Sequence, residues 1–466
     1  MKNLKNESHP YLPNSATAIR EQMLKDIGVK NIEELLTVIP EELRFRGEMP
    51  LPEPLLSEQE LKKHMVSVMN KNISCREVSS FLGGGCWDHY VPAICDEING
   101  RAEFLTAYCG ETYADHGKLQ AIFEFTSQMG ELLDMGVVSF TLYDGAQATA
   151  SALRMACRIT QKKEVLIPST MNPEIVAQIQ EYCKGVCDFT FIKQDIATGL
   201  LDLNDLSKKL SHNTAAVFIE NPSYLGFIEE NGEKISTLAK SVNALFVVSA
   251  DPISLGVLEA PVHYGADIVC GDIQPLGIHM HYGGGCAGYI ATRDEQRFIL
   301  EFPTYLYGAC PGSQPGEIAY GRAINFRTSH GSRENAKEFY GTETGLWAIT
   351  AAVYLGLMGP SGMEELGDHL IQKIHYLCKK AAEIPGVSLP FSSTPFKEIV
   401  LNFDKTGKTI GQINEELLAR GIFGGKDLSG TFPELGQSAL YCTTEQTTLK
   451  DIQNLIEALI QITARR

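Results

Sequence analysis

The sequence predicts an α/β fold carrying a mostly parallel sheet, and two observations predict it. A chain of 466 residues with 44% hydrophobic content can bury a large core and divide into two or three domains. Through its middle, short apolar runs that fit strands buried on both faces alternate with stretches of helical period. Strands separated by crossover helices imply a parallel sheet covered on both sides.

The first segment is polar and helical. Ser15 is placed to cap a helix carrying Ile19, Met23 and Leu24, Gly28 ends it, and Asn31 starts a second through Leu35 and Leu36 that Pro40 closes. Pro50, Pro52 and Pro54 make a stiff connection before a helical pattern at Glu58 to Met69. Residues 1–95 are therefore expected to form a helical arm ending in a glycine-rich loop. Residues 96–330 are expected to form the large α/β domain. There Leu119 to Leu132 follows helical spacing, Val137 to Tyr143 suits a strand, and Ala146 to Ile159 is helical again. The exchange continues through strand Val165 to Pro168, helix Pro173 to Lys184, strands Phe189 to Ile192 and Ala215 to Ile219, helix Glu233 to Val242 and strand Ala244 to Ala250. Ala266 to Cys270 and Gly288 to Thr292 supply later strands. Residues 331–466 change texture and read as a smaller α+β domain, with a helix Leu346 to Leu357 interrupted at Met358 to Gly362 and a strand at Glu398 to Asn402.

Charge narrows the partners. Forty Lys plus Arg against 57 Asp plus Glu give a formal charge of −17, which opposes phosphate-backbone binding. No nucleic acid partner is expected. No segment reaches the roughly 20 uninterrupted apolar residues of a membrane helix, and the N-terminus has no apolar run, so a membrane partner and secretion are not expected either. Twelve cysteines without short regular spacing read as reduced thiols, which points to the cytoplasm.

Several constellations bear on chemistry. A strand ends in an acid at Val247 to Asp251 and an oligoglycine turn follows at His281 to Gly285. In pyridoxal phosphate enzymes of the aminotransferase-like class (fold type I), a Schiff-base lysine stands between such marks, but no lysine lies between Lys240 and Lys337. No catalytic residue is assigned, and Gln274 and Pro275 occupy the neighbourhood of the missing amine. Asp144, Gly145 and Ala146 lie where a strand gives way to a helix, so they either cradle a phosphate or simply cap and turn the chain. Asp251 either faces a pyridine nitrogen or forms a turn before Pro252. Cys270, His279, His281 and Cys286 fall close enough to be considered as metal ligands, yet their spacing matches no finger or ribbon pattern. Two loops concentrate hydrogen-bonding groups of the kind that reach active sites, one with Tyr108, Glu111, Tyr113, Asp115 and His116, the other with Arg327 and Arg333, and His279 and His281 are candidates for a pocket or interface loop as well.

Long motifs give a specific resemblance. Tyr11-Leu12-Pro13-Asn14, Ile39 to Arg44, Phe81-Leu82-Gly83-Gly84-Gly85-Cys86-Trp87-Asp88-His89-Tyr90-Val91-Pro92, Arg101 to Tyr108, Leu119 to Glu124, Tyr143 to Ala146 and Gly271-Asp272-Ile273-Gln274-Pro275-Leu276-Gly277-Ile278 occur in order over nearly the whole chain. Together they resemble the first, or alpha, subunit of the two-subunit glycine cleavage P-protein family. That resemblance implies an inert half of a pyridoxal enzyme, with cofactor and lysine in a homologous beta subunit, two copies of each, an amino-acid substrate and a lipoyl carrier protein as acceptor. No cofactor is expected to be held covalently by this chain. Asn172 in Asn172-Pro173 stands where such subunits often have His-Pro, and an asparagine cannot stack over a pyridine ring. Two stretches depart from the family, Cys109 to Gly117 and Ser332 to Tyr340. They leave open a paralogous subunit for another amino acid, and the cysteine and histidine cluster leaves open a ligand- or metal-binding protein without enzymatic partner.

Overall fold

The structure, a computed structural model, describes residues 11–12, 15–105, 116–338 and 343–464. Two compact units emerge, Met1–Asn72 and Ile73–Arg466. The expected arm is thus shorter than 95 residues as a compact unit, because Ser79 and Ser80 already pair with a strand of the C-terminal region.

The first unit holds helices α1 (Thr17–Ile27), α2 (Ile32–Leu35) and α3 (Glu58–Met69). The N-cap of helix α1 lies one residue past the expected one, at Ala16, with no side-chain cap; the helix ends at Gly28, whose φ of 85° is the left-handed conformation glycine tolerates. Asn31 and Ser57 cap α2 and α3 by accepting from Glu34 N and Glu60 N. None of these helices buries a residue. Leu43, Phe45, Leu51 and Leu56 are all at least 70% exposed.

The second unit begins with β1 (Ser79–Ser80), α4 (Ala93–Asn99), α5 (His116–Leu133) and β2 (Val137–Val138). Then α6 (Gly145–Thr160), β3 (Glu164–Pro168), α7 (Pro173–Tyr182), β4 (Asp188–Ile192), α8 (Leu203–Lys209), β5 (Thr214–Asn221), α9 (Gly232–Ser241), β6 (Leu245–Ala250), β7 (Ile268–Asp272) and β8 (Gly288–Thr292) alternate as helical and apolar periods require. Seven of these strands form one sheet in the order β2-β8-β7-β6-β5-β3-β4. Pairing is parallel from β4 to β7 and antiparallel where β8 meets β7 and β2. Alternate residues serve opposite faces: Val165 and Val247 join the core under α6, while Leu166 and Val248 join the core under α5. The strand expected at Val137 to Tyr143 is short for a local reason. After Val138 the ladder to β8 is interrupted: Ser139 N still donates to Ile290 O at 2.8 Å, but the Ser139 hydroxyl accepts from Ile290 N in place of a carbonyl, Phe140 N turns to Tyr305 O, and Leu142 rejoins β8 only as an isolated bridge to Gly288.

A short helix α10 (Gln296–Ile299), a hairpin of β9 (Leu306–Pro311) and β10 (Ile318–Ala323), and α11 (Ser329–Ser332) lead into the long α12 (Gly345–Ala381). By length and apolarity α12 would suffice to cross a membrane, but its apolar face is spent on two hydrophobic cores of this chain. Ala348, Ala351 and Tyr354 pack under the large sheet, and Ile374, Leu377 and Ala381 pack in the C-terminal core. The expected interruption is a kink at Gly359, with φ 59° and ψ 180°, followed by Pro360. Beyond it lie β11 (Glu398–Asn402), α13 (Ile410–Leu418), β12 (Ile422–Phe423), β13 (Lys426–Asp427), β14 (Ser438–Cys442) and α14 (Leu449–Thr463). β11, β14 and β13 form a three-stranded antiparallel sheet, and β12 pairs with β1.

Candidate functional site

A cavity of about 410 Å³ opens beyond the ends of β5, β6 and β7. Glu220 and Asp272 stand at those strand ends, Asp251 follows β6, and the N-termini of α6 and α7 contribute Asp144, Gly145, Ala146, Asn172 and Glu174. The glycine-rich loop Gly83 to Trp87 and the residues Lys397, Glu398 and Lys426 close it. Strand ends in open α/β sheets are where ligands gather, because free backbone groups and helix N-termini converge there.

Two of the helix-end amides that would hold a phosphate are already engaged. Gly145 N donates to Asp272 Oδ2 at 2.7 Å, and Gln147 N donates to Asp144 Oδ1 at 2.6 Å. Asp272 also accepts from Gln274 N and Ala287 N. Burial pushes its carboxyl up to about 7 against those three amide bonds. A phosphate dianion placed here would lose those two donors and meet the acids Asp144 and Asp272.

The opposite wall is occupied by a lysine. Lys397 Nζ lies 2.5 Å from Asp251 Oδ2, with the two side chains only 4% and 8% exposed. The same ammonium sits 3.5 Å from the centre of the Trp87 ring and 3.2 Å from His89 Nε2. His89 Nδ1 in turn lies 2.7 Å from Glu445 Oε2. Since Lys397 only donates, His89 accepts at Nε2 and donates from Nδ1. Burial opposes ionisation of Glu445, but His89 and the Tyr90 amide outweigh it and hold the carboxyl at about 2. Asp251 is thus paired with a cation of this chain's own.

Gln274, near the expected place of the missing amine, is a structural clamp. Buried, it accepts from Trp87 N at 3.1 Å and donates to Trp87 O and Ile278 O at 3.0 Å each, pinning the glycine-rich loop. Pro275 is buried beside it. Asn172 caps α7 by accepting from Glu174 N and donates to Gly84 O at 3.3 Å. No lysine stands beside the oligoglycine turn, two of the α6 amides are held by carboxylates and Asp251 is paired with Lys397, so these residues offer pyridoxal phosphate neither an amine at that turn nor an unpaired acid for its ring nitrogen.

The remaining sequence candidates are placed elsewhere. Cys270 is buried against Thr149 on β7, and burial pushes its thiol up to about 12. His279 pairs with Asp96 at 3.0 Å, and His281 stacks on Trp347. Cys286 lines the cavity. Among the described residues no group of three or more His, Cys, Asp or Glu is arranged to hold a metal. Arg327 is buried and donates to the carbonyls of Phe302 and Thr304, each at 2.6 Å; Arg333 is exposed with φ 50°. Neither arginine lines the cavity. Tyr108, Glu111, Tyr113 and Asp115 lie outside the described residues, and of His116 only its place at the start of α5 is described.

Sequence reasoning missed Lys397, Glu398, Glu220 and Lys426. A signal existed for the first two: adjacent Lys and Glu precede the apolar run Ile399 to Leu401, a placement that charged side chains take only when paired or functional. Glu398 Oε1 accepts from Gly84 N at 2.6 Å, and a Cβ on Gly83 would fall 2.2 Å from that oxygen, so the loop must be glycine there.

Comparison with known proteins places this cavity in context. The family model for the glycine cleavage system P-protein matches residues 9–459. A probable glycine dehydrogenase (decarboxylating) subunit 1 from Staphylothermus marinus is 38% identical over 98% of both chains. Similarly described proteins from Desulforamulus reducens and Pyrococcus furiosus are 37% and 36% identical over 94% and 97% of this chain and 97% and 99% of their own. A crystal structure of a glycine decarboxylase P-protein, in inhibitor-bound form, superposes with a TM-score of 0.82 at 29% identity, covering 98% of this chain and all of that one. A Burkholderia pseudomallei sphingosine-1-phosphate lyase, at 15% identity and a TM-score of 0.64 over 91% of this chain and 94% of its own, shares the fold alone, which is the aminotransferase-like one. Kinship that runs through motif, whole-chain identity and superposed fold makes this chain a member of the glycine cleavage system P-protein family.

Proposed function

We propose that this chain is the cofactor-free first subunit of a glycine dehydrogenase (decarboxylating), working with a homologous second subunit that carries pyridoxal phosphate on a lysine. The assembly decarboxylates glycine and passes the aminomethyl group to the lipoyl arm of a carrier protein, as an α2β2 complex in the cytoplasm. The carrying observation is Gln274: where a Schiff-base amine is needed, a buried amide is locked to Trp87 and Ile278. The engaged Gly145 and Gln147 amides and the Asp251–Lys397 pair support the same reading. The relatives' description as subunit 1 implies a second subunit. The apolar side chains that helices α1 to α3 leave uncovered favour a protein partner. The free cysteines among the described residues fit a reducing compartment.

Coexpression with a lysine-bearing homologue tests the assignment. Glycine–bicarbonate exchange is expected from the complex and not from this chain alone, and borohydride trapping with peptide mapping should place the cofactor on the partner. Cofactor fixed to this polypeptide would overturn the reading. Exchange with a larger amino acid but not with glycine would assign a paralogous complex instead.

A further inference from the structure

The cavity carries the wrong sign for an anion. Its carboxylates, Asp144, Glu174, Glu220, Asp251, Asp272 and Glu398, face two cations, Lys397 and Lys426. Both lysines are already engaged, Lys397 on Asp251 and Lys426 on Glu174 at 3.0 Å. Glu220 and Glu398 have no Lys or Arg at ion-pair distance among the described residues; the Tyr224 and Asn172 amides bond to Glu220, and the Gly84 amide to Glu398.

We propose that this cavity binds a small primary ammonium ion that lacks a carboxylate, a short diamine being the simplest case. The site is in this chain, so the proposal does not depend on the second subunit. A second observation points to a ligand: Ser223, only 9% exposed and on the same wall, has a buried hydroxyl with no hydrogen-bond partner. An ammonium supplies three donors, enough for Glu220, Glu398 and a hydroxyl oxygen together. Ile175, Pro222 and Phe396 offer apolar surface for a methylene chain. The volume, about 410 Å³, suits such a guest. Glu220 shows some surface because it lines the cavity, yet its surroundings push the carboxyl up to about 8, chiefly by burial and also through Glu398; an arriving cation relieves both. A free amino acid is disfavoured, since its carboxylate would find neither a free cation nor the α6 amides held by Asp272 and Asp144.

The test is titration of the purified full chain with 1,4-diaminobutane in roughly physiological salt, which screens loose attraction to an acidic surface. Trp87 lines the cavity and is one of two tryptophans, so its fluorescence reports occupancy, with thermal stabilisation as an independent readout. Saturable binding is expected, about tenfold weaker in both Glu220→Gln and Ser223→Ala, and absent with glycine at equal concentration. Trp87→Phe should lose the fluorescence signal and keep the thermal shift. No saturable binding, equal binding of glycine, displacement of the diamine by magnesium ion, or unchanged affinity in whichever of the Glu220 and Ser223 variants folds would each overturn the proposal.

Discussion

The Lys397 ammonium touches Asp251, His89 and the face of Trp87, with 4% of its side chain exposed. Each partner offsets part of the desolvation that burying the charge costs, so removing one end leaves the other uncompensated. Lys397→Met is expected to lower unfolding free energy by about 3–5 kcal/mol, with Asp251→Asn in the same chain restoring most of the loss. Urea unfolding of the two single variants and the double variant measures this coupling. Strictly additive losses would contradict it. The acid end of this pair is legible in sequence because a strand ending in Asp251 is a local pattern; Asp144, Gly145 and Asn172 are legible for the same reason, each lying at a strand-to-helix junction. Lys397 immediately precedes β11 and Glu398 opens it, and only the packing of the C-terminal sheet against the strand ends brings them to Asp251 and Glu220. No periodicity encodes that approach.

Among the elements, α12 carries the clearest local strain. At φ 59° and ψ 180° Gly359 occupies a region open essentially to glycine alone, and it precedes Pro360, which already disfavours the helical conformation before it. Nothing lies within 4 Å of an added Cβ, so Gly359→Ala isolates the backbone cost from any clash. A destabilisation of about 1–3 kcal/mol is expected, read as a lower thermal midpoint with unchanged helix content by circular dichroism. An unchanged midpoint would mean that the kink relaxes freely. Glycine and proline at 359 and 360 make a break visible in the sequence, but not its outcome. The helix resumes because Leu366, Leu370 and Ile374 continue the apolar face, the last into the C-terminal core. The parallel strands β3 to β7 are legible as apolar runs, each within one or two residues. The antiparallel setting of β8 is not, since a run buried on both faces has the same composition in either direction. The hairpin of β9 and β10 escapes for another reason: from Gly308 to Ala323 its residues are at best half-buried, so the apolar alternation that marks a strand is weak.

At the scale of the whole molecule, the buried carboxyls set how stability depends on pH. Glu220, pushed up to about 8, and Asp272, pushed up to about 7, both mainly by burial, hold protons in the fold that they release in the unfolded chain. For a carboxyl raised on folding, the stabilising contribution is complete below the unfolded value, near 4. It is lost as pH climbs through the folded value. Glu445 works in the opposite sense: held at about 2, it contributes above its unfolded value and loses that contribution as pH falls. Stability is therefore expected to peak on the acid side of neutrality and to decline toward about pH 8. Glu220→Gln keeps the shape and hydrogen-bonding reach of the side chain but cannot ionise. Its stability relative to the parent chain should rise between about pH 5 and 8, by a few kcal/mol at most, since a tenfold change in proton affinity on folding corresponds to about 1.4 kcal/mol. Chemical denaturation at several pH values reads this directly. Parallel curves for the two chains would mean that Glu220 is ionised in the fold across the whole range, and that another charge inside the cavity compensates it.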